Sequence, residues 1–184
     1  MVGEEFAAVL EAARKDDEGA FSLLWRDANP ALLRYLRVVI PEYAEDVAAE
    51  TWVQVLRGLA TFTGDESAWR AWLFTTARRR VLDQVRHRNR HPSEPLDDMN
   101  AADVPHAPGA EQIAMDNIAT ERAIALVSRL PEQQAEVIML RVVAGLDTEV
   151  VAEMLGRSPG AVRVAAHRGL KRLATLLSGA GVTL

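Results

Sequence analysis

The sequence predicts an all-α protein of two small helical domains joined by a flexible acidic linker. Apolar residues recur at helical spacing through most of the chain, and no stretch alternates with period two for long enough to argue a sheet. One stretch, HPSEPLDDMNAADVPHAPGAEQ, lacks periodicity, is acidic and holds four of the eight prolines. Charge divides the chain at the same place. From Arg70 to Arg90 there are seven arginines against one acid, and from Arg157 to Arg172 five bases and no acid. His91 to Glu121 holds seven acids and no Lys or Arg. The expected units are residues 1–90, a linker over 91–114, and residues 115–178.

In chain order, Phe21–Ile40 places Leu32, Leu33, Leu36, Val39 and Ile40 at helical spacing, and Pro41 ends the run. Ala44–Leu59 repeats the pattern with Val47, Ala48, Trp52, Val55, Leu56 and Leu59, and sets Asp46 and Glu50 on the other side. Residues 62–67 read as a loop, with Ser67 as N-cap of the next helix. That helix carries Trp69, Trp72, Leu73, Ala77, Val81 and Val85. Beyond the linker, Ile118, Ile124, Val127 and Leu130 form one stripe, and Pro131 opens the next helix. Ala135, Ile138, Met139, Val142 and Val143 follow, ended by Gly145. The last two helices carry Val150, Val151, Met154 and Leu155, then Val162, Ala166, Leu170, Leu173 and Leu177.

Bulk properties exclude several classes. No apolar run approaches the roughly 20 residues that span a bilayer. The N-terminus is acidic and has no basic start, so no secretory signal is expected. Absence of cysteine removes disulfides and thiolate zinc sites. A soluble cytoplasmic protein without membrane insertion is the expectation. The formal net charge is −5, yet the bases are segregated. Charges more than about 8–10 Å apart are largely screened at cellular salt, so two local basic faces can bind a polyanion on an acidic protein. The alternative for either cluster alone is a solvated helix face.

Local chemistry is sharpest at the C-terminal end. Thr148–Leu155, a turn at Gly156-Arg157, and a helix capped by Ser158 with Pro159 in its first turn make a helix-turn-helix. Val162, Ala166, Leu170 and Leu173 are expected to face the core. Arg163, Val164, His167, Arg168 and Lys171 then face outward, toward a major groove. Gly160 keeps the helix start slim enough to approach a phosphate, and Arg157 adds charge beside it. An ordinary two-helix hairpin is the bland alternative. Residues 156–160 also spell G-x-S-x-G, but the oxyanion donor would be Pro159, which has no N–H. His87 and His91 lack the further ligands a metal needs, and no Gly-rich phosphate loop occurs. No catalytic residue, cofactor or metal is expected. In the first zone Trp69, Trp72 and Phe74 alternate with Arg70, Arg78, Arg79 and Arg80, a mixture that suits unpaired bases. Tryptophans at helical spacing are more often core, and Trp72 is expected there, while Trp69, next to the loop, is left open between the two.

Three segments in this order resemble the two-domain, extracytoplasmic-function group of bacterial sigma factors: AEDVAAETWVQVLRGL (44–59), WRAWLFTTARRRVLDQVRHRNR (69–90) and LPEQQAEVIMLRVVAGLDTEVVAEMLGRSPGAVRVAAHRGLKRL (130–173). The resemblance implies that Asp46, Glu50, Val53, Gln54 and Arg57 bind the clamp of core RNA polymerase. It implies minus-ten recognition and melting by Gly64, Asp65, Ser67, Trp69, Arg70, Arg78, Arg79 and Arg86, with a flipped base held near the 64–67 loop and Trp69. The C-terminal helix would read the minus-thirty-five duplex, the linker would run toward the RNA exit path, and an anti-sigma protein would be a partner. Departures are Arg79 where the family often has Asn, Val164-Ala165 where it often has a polar pair, and Leu146-Asp147-Thr148 at the start of the first reading helix. The alternatives are a stand-alone helix-turn-helix regulator, which binds DNA tightly without polymerase, and a helical protein adaptor, which leaves both basic faces unused.

Overall fold

The computed structural model describes residues 3–90 and 110–179, and every regular element within them is helical. Helix α1, Phe6–Ala13, buries Phe6, Leu10 and Ala13 at i, i+4 and i+7. The sequence reading starts its helices at Phe21 and passes over this one, although the spacing is present. Helix α2, Glu18–Val39, is capped by Asp17, whose Oδ1 accepts the Ala20 N–H at 2.8 Å. It ends where Ile40 is pushed to an extended φ of −151° by the proline that follows. Its buried seam is Leu24, Ala28, Leu32, Tyr35 and Leu36, while Leu33 and Val39 are only partly covered.

Helix α3, Ala44–Leu59, buries Val47, Ala48, Trp52, Val55 and Leu59. Leu56, expected in that stripe, is 51% exposed. At about 100° per residue it lies beside the seam rather than on it. Helix α4, Glu66–Arg90, buries Trp69, Leu73, Phe74, Ala77 and Val81. Its N-cap is Asp65, whose Oδ1 accepts the Ala68 N–H at 2.8 Å, and not Ser67, which lies inside the first turn. Helix α5, Ala110–Val127, begins within the stretch read as linker, so 110–114 are helical. Pro108-Gly109 is the last pair of helix breakers before a run of good helix formers. The remainder of that stretch, 91–109, lies outside the described residues.

Pro131 precedes helix α6, Glu132–Ile138, as its N-cap. The helix continues into a π-helical turn, Met139–Val143. Met139 and Leu140 are buried there, but Val142, expected inward, is 63% exposed. A π turn takes one residue more than an α turn and so displaces the apolar phase. Helices α7, Thr148–Leu155, and α8, Pro159–Gly179, are the last of the described elements.

Helix α2 sits between the two halves. It packs against α1, α3 and α4, and also against α5, α6 and the π turn. Tyr35 has no exposed surface; its ring meets Phe74 of α4 edge-on, with centroids 5.6 Å apart. Burial, with the Glu136 carboxylate beside it, holds its phenol protonated well above the ordinary tyrosine range. Helix α4 crosses α3 where Gly58 leaves room for the Trp72 indole, and a Cβ there would lie 2.7 Å from the ring. An indole cannot yield as a flexible chain end does. Gly58→Ala is therefore expected to lose about 1–3 kcal/mol to overpacking, more than the roughly 1 kcal/mol gained in helix propensity. The expected reading is a lower urea midpoint, with recovery when Trp72→Leu is added.

Candidate nucleic-acid interface

Three surfaces carry the residues singled out in the sequence. On α3, Asp46, Glu50, Val53, Gln54 and Arg57 form one exposed stripe opposite the buried seam. Val53 is 46% exposed and the neighbouring Leu56 extends the apolar part of the stripe. The alternation of the α3 sequence thus gives a face with acid at its start, an apolar middle and Arg57 at its end.

The second surface is the loop before α4 and the helix itself. Gly64 has φ of +152°, and a Cβ there would lie 2.7 Å from that of Ala68, so no other residue fits without strain. Phe62 lies over Trp72 in a stacked arrangement, centroids 4.9 Å apart, and meets Trp69 edge-on at 5.7 Å. Trp69 is 2% exposed and has no face free for a base. Both tryptophan expectations are therefore corrected: Trp69, placed among the base-binding residues, is core, and Trp72, expected in the core, is the partly exposed indole. Arg70 is corrected in the same way. Its Nη2 donates to Asp27 at 2.7 Å, with Glu66 at 3.7 Å, and the side chain is 13% exposed. It pins α4 to α2. Arg78 is also engaged, donating from Nε to Glu136 of α6 at 2.9 Å. Gly64, Asp65, Ser67, Arg79 and Arg86 remain on the surface, Arg86 paired with Asp83 at 3.1 Å.

The third surface is the helix-turn-helix. Gly156 takes the left-handed conformation, φ +63°, that turns the chain out of α7. Arg157 N–H then bonds the Ala152 carbonyl at 2.8 Å. Ser158 Oγ accepts the Ala161 N–H at 3.2 Å, as the capping reading expected. Val151, Ala152 and Val162 close the seam between the two helices. Arg163, Val164, His167, Arg168 and Lys171 are all exposed on α8, and Gly160 is open at its start. Leu170, expected inward, is 49% exposed. Gly169 is the buried position at that turn, because its missing Cβ lets α8 approach Ile138. Helix α7 begins at Thr148, and Asp147 precedes it without a side-chain cap bond.

Sequence reading missed the acids that hold these arginines. Glu149 of α7 accepts from Arg163 Nη2 at 3.0 Å, Glu136 takes Arg78, and Asp27 takes Arg70. Only pairs three or four residues apart are visible as helical spacing. Gln134, also not singled out in the sequence, shares a hollow of about 500 Å³ with Arg157, Val164 and Arg168 beside the exposed face of α8.

Two family matches divide the chain as these surfaces do. Sigma-70 region 2 matches residues 24–91, and Sigma-70, region 4 matches residues 120–173. The ECF RNA polymerase sigma factor ShbA of Streptomyces griseus is 36% identical, over 92% of this chain and 93% of that one. The chain belongs to the ECF sigma factors. This sigma factor is also 33% identical to SigD of Mycobacterium tuberculosis, over 98% of the chain and 88% of the relative. Its fold is that of CnrH solved in complex with the cytosolic domain of CnrY, with TM-score 0.61, 21% identity, and 96% and 99% of the two chains covered. RpoE in complex with the anti-sigma factor NepR, from Bartonella quintana, gives TM-score 0.60 at 23% identity, covering 86% and 96%.

Burial separates scaffold from surface in a measurable way. Trp69→Ala is expected to cost about 3–5 kcal/mol of stability. Arg70→Ala, which leaves Asp27 and Glu66 without their cation, should cost on the order of 3 kcal/mol. Arg79→Ala and Ser67→Ala should stay within about 0.5 kcal/mol of the parent. Urea denaturation of the four variants provides the comparison, and a stable Trp69→Ala would return that residue to the surface.

Proposed function

We propose that the protein is the promoter-specificity subunit of RNA polymerase, with no catalysis of its own. Residues 1–90 bind core polymerase and open the minus-ten element, and 115–178 read the minus-thirty-five element. The observation that carries this reading is the exposed, acid-free outer face of α8 on a helix-turn-helix, in the same chain as a region 2 match. The exposed α3 stripe of Asp46, Glu50, Val53, Gln54 and Arg57 binds the polymerase clamp. Gly64, Asp65 and Ser67 form the rim at which a flipped base is received, and Arg78, Arg79 and Arg86 follow the single strand. Extruding a base costs a few kcal/mol, which a shaped loop can offset.

At the minus-thirty-five element, Arg157, Ser158 and Gly160 approach a phosphate at the helix start, while Arg168 and Lys171 hold the backbone. Arg163 and His167 reach base edges, and Val164 offers an apolar contact to a thymine methyl. An anti-sigma protein is the regulatory partner by analogy with the complexes in which related folds are found. Among the described residues no helix is long and apolar enough to cross a membrane. The proposed place of action is the cytoplasm, where core polymerase and promoter DNA meet.

Run-off transcription with purified core polymerase over a promoter library tests the whole reading. Selection of a promoter class is expected, and no selection would reject the assignment. Arg168→Ala and Lys171→Ala should weaken DNA association evenly across sequences and lower the salt slope by about 1 each. Arg163→Ala should instead relax preference at one base pair by about 1–3 kcal/mol. An unchanged library profile would remove Arg163 from base readout.

A further inference from the structure

A hollow of about 330 Å³ lies between α3 and α4, wholly within the N-terminal half. Three guanidinium groups line it, Arg57 from α3 and Arg79 and Arg80 from α4, together with Gln54, Thr76 and the Trp72 indole. No aspartate or glutamate among the described residues shares its walls. Like charges gathered round one space repel each other, and an anion set between them removes that cost.

The arginines are only loosely committed elsewhere. Arg57 Nη1 donates to Gln54 Oε1 at a long 3.4 Å, Arg80 Nη2 stands 3.4 Å from Asp83, and Arg79 has no ion pair among the described residues. Thr76 spends its proton on the Trp72 carbonyl, at 2.8 Å, so the arginines carry the site. Arg80 Nε is buried and has no hydrogen-bond partner, although the side chain as a whole is 34% exposed. A merely solvated arginine would keep that N–H in water. A buried N–H without an acceptor is costly, and a phosphate oxygen is an acceptor that the guanidinium fork fits well.

We propose that this hollow seats one backbone phosphate of single-stranded DNA, held by Arg57, Arg79 and Arg80 together. The distance along α4 from Ser67 to Arg79 is about 18 Å, at about 1.5 Å per residue. Phosphates of one strand lie about 3.4 Å apart when stacked, and farther when unstacked. A strand leaving the 64–67 rim along α4 therefore brings a phosphate to the hollow within about five nucleotides. The seat adds Arg80 to the strand surface and joins Arg57, at the end of the α3 stripe, to it. Phosphate contacts carry no base information, so its task is to fix the register of the strand. The choice of a DNA strand rests on the reading above that the strand follows α4.

Fluorescence anisotropy of a dye-labelled oligothymidylate of about 12 nucleotides, titrated with the full-length protein, tests the seat. Arg57→Ala and Arg80→Ala should each weaken binding on the order of tenfold. The two together should lose little more than either alone, because both serve one phosphate. Arg37→Ala removes the same charge from α2, outside the hollow, and should stay within about twofold of the parent. If Arg80→Ala loses its helical circular dichroism, Arg80→Lys, which keeps the charge but not Nε–H or the fork, carries the test with a smaller loss. Absence of binding by the parent, or losses at Arg57 or Arg80 no larger than that of Arg37→Ala, overturns the seat. Fully additive losses put the two arginines on separate phosphates and overturn it as one site. Arg57→Ala that weakens capture of core polymerase but leaves the oligothymidylate isotherm unchanged returns Arg57 to the clamp contact and overturns it too. Calorimetry with inorganic pyrophosphate separates a free anion from a strand. Pyrophosphate binding that Arg57→Ala abolishes while oligothymidylate binding stays intact overturns the strand assignment. The oligothymidylate isotherms involve neither promoter nor polymerase, so a failed promoter selection leaves them standing and the two readings fail separately.

Discussion

Tyr35 is the point on which both halves of the molecule rest. It is fully buried in the C-terminal part of a helix whose seam of Leu24, Leu32 and Leu36 is also out of water. Its ring packs on Phe74 of α4, and its hydroxyl reaches Glu136 of α6. A phenol in such a place has to keep its proton and find an acceptor, because an unpaired buried hydroxyl costs roughly 1–3 kcal/mol. The residue that supplies the acceptor also neutralises Arg78. Two otherwise costly polar groups are thus satisfied by one carboxylate. The position of α6, and with it the helix-turn-helix, follows from that shared need.

Most of the fold was legible because amphipathic helices declare themselves by period. Helices α2, α3, α4, α7 and α8 lie where apolar spacing put them, and Ser158 caps α8 as its chemistry suggests. The failures share a physical cause. Leu56, Val142 and Leu170 are apolar yet exposed, since spacing locates a stripe but not its width or a local change of helical pitch. Ser67 and Asp65 are both good caps by type, and only the backbone decides between them. The site was legible at α3 and α8, whose named residues are outward. It was poorly legible on α4, where tryptophan spacing could not distinguish the core Trp69 from the partly exposed Trp72. The partners that immobilise Arg70 and Arg78 come from 43 and 58 positions away.

Charge acts here through neighbours rather than through the total. The arginines of α4 are sorted by what faces them: Arg70 is consumed by the fold, Arg78 is held across the two halves, and Arg79 is exposed at the surface. On α8, Arg163 is shared with Glu149, both well exposed, a contact that water and salt weaken readily. Another acceptor can replace that carboxylate at small cost, so the ion pair orients the guanidinium without locking it.

The π turn at Met139–Val143 has a consequence for how this chain can change over time. Every residue after it is rotated relative to α6 by the one extra position the turn accommodates, about 100° of helical phase. Loss of a single residue there would restore ordinary pitch and swing α7 and α8 to another side of α2. A point substitution in α8 alters one side chain of its exposed face, but a one-residue deletion in this turn would re-aim the helix-turn-helix as a whole. Chain length at this turn is therefore under tighter constraint than the identity of its exposed Val142.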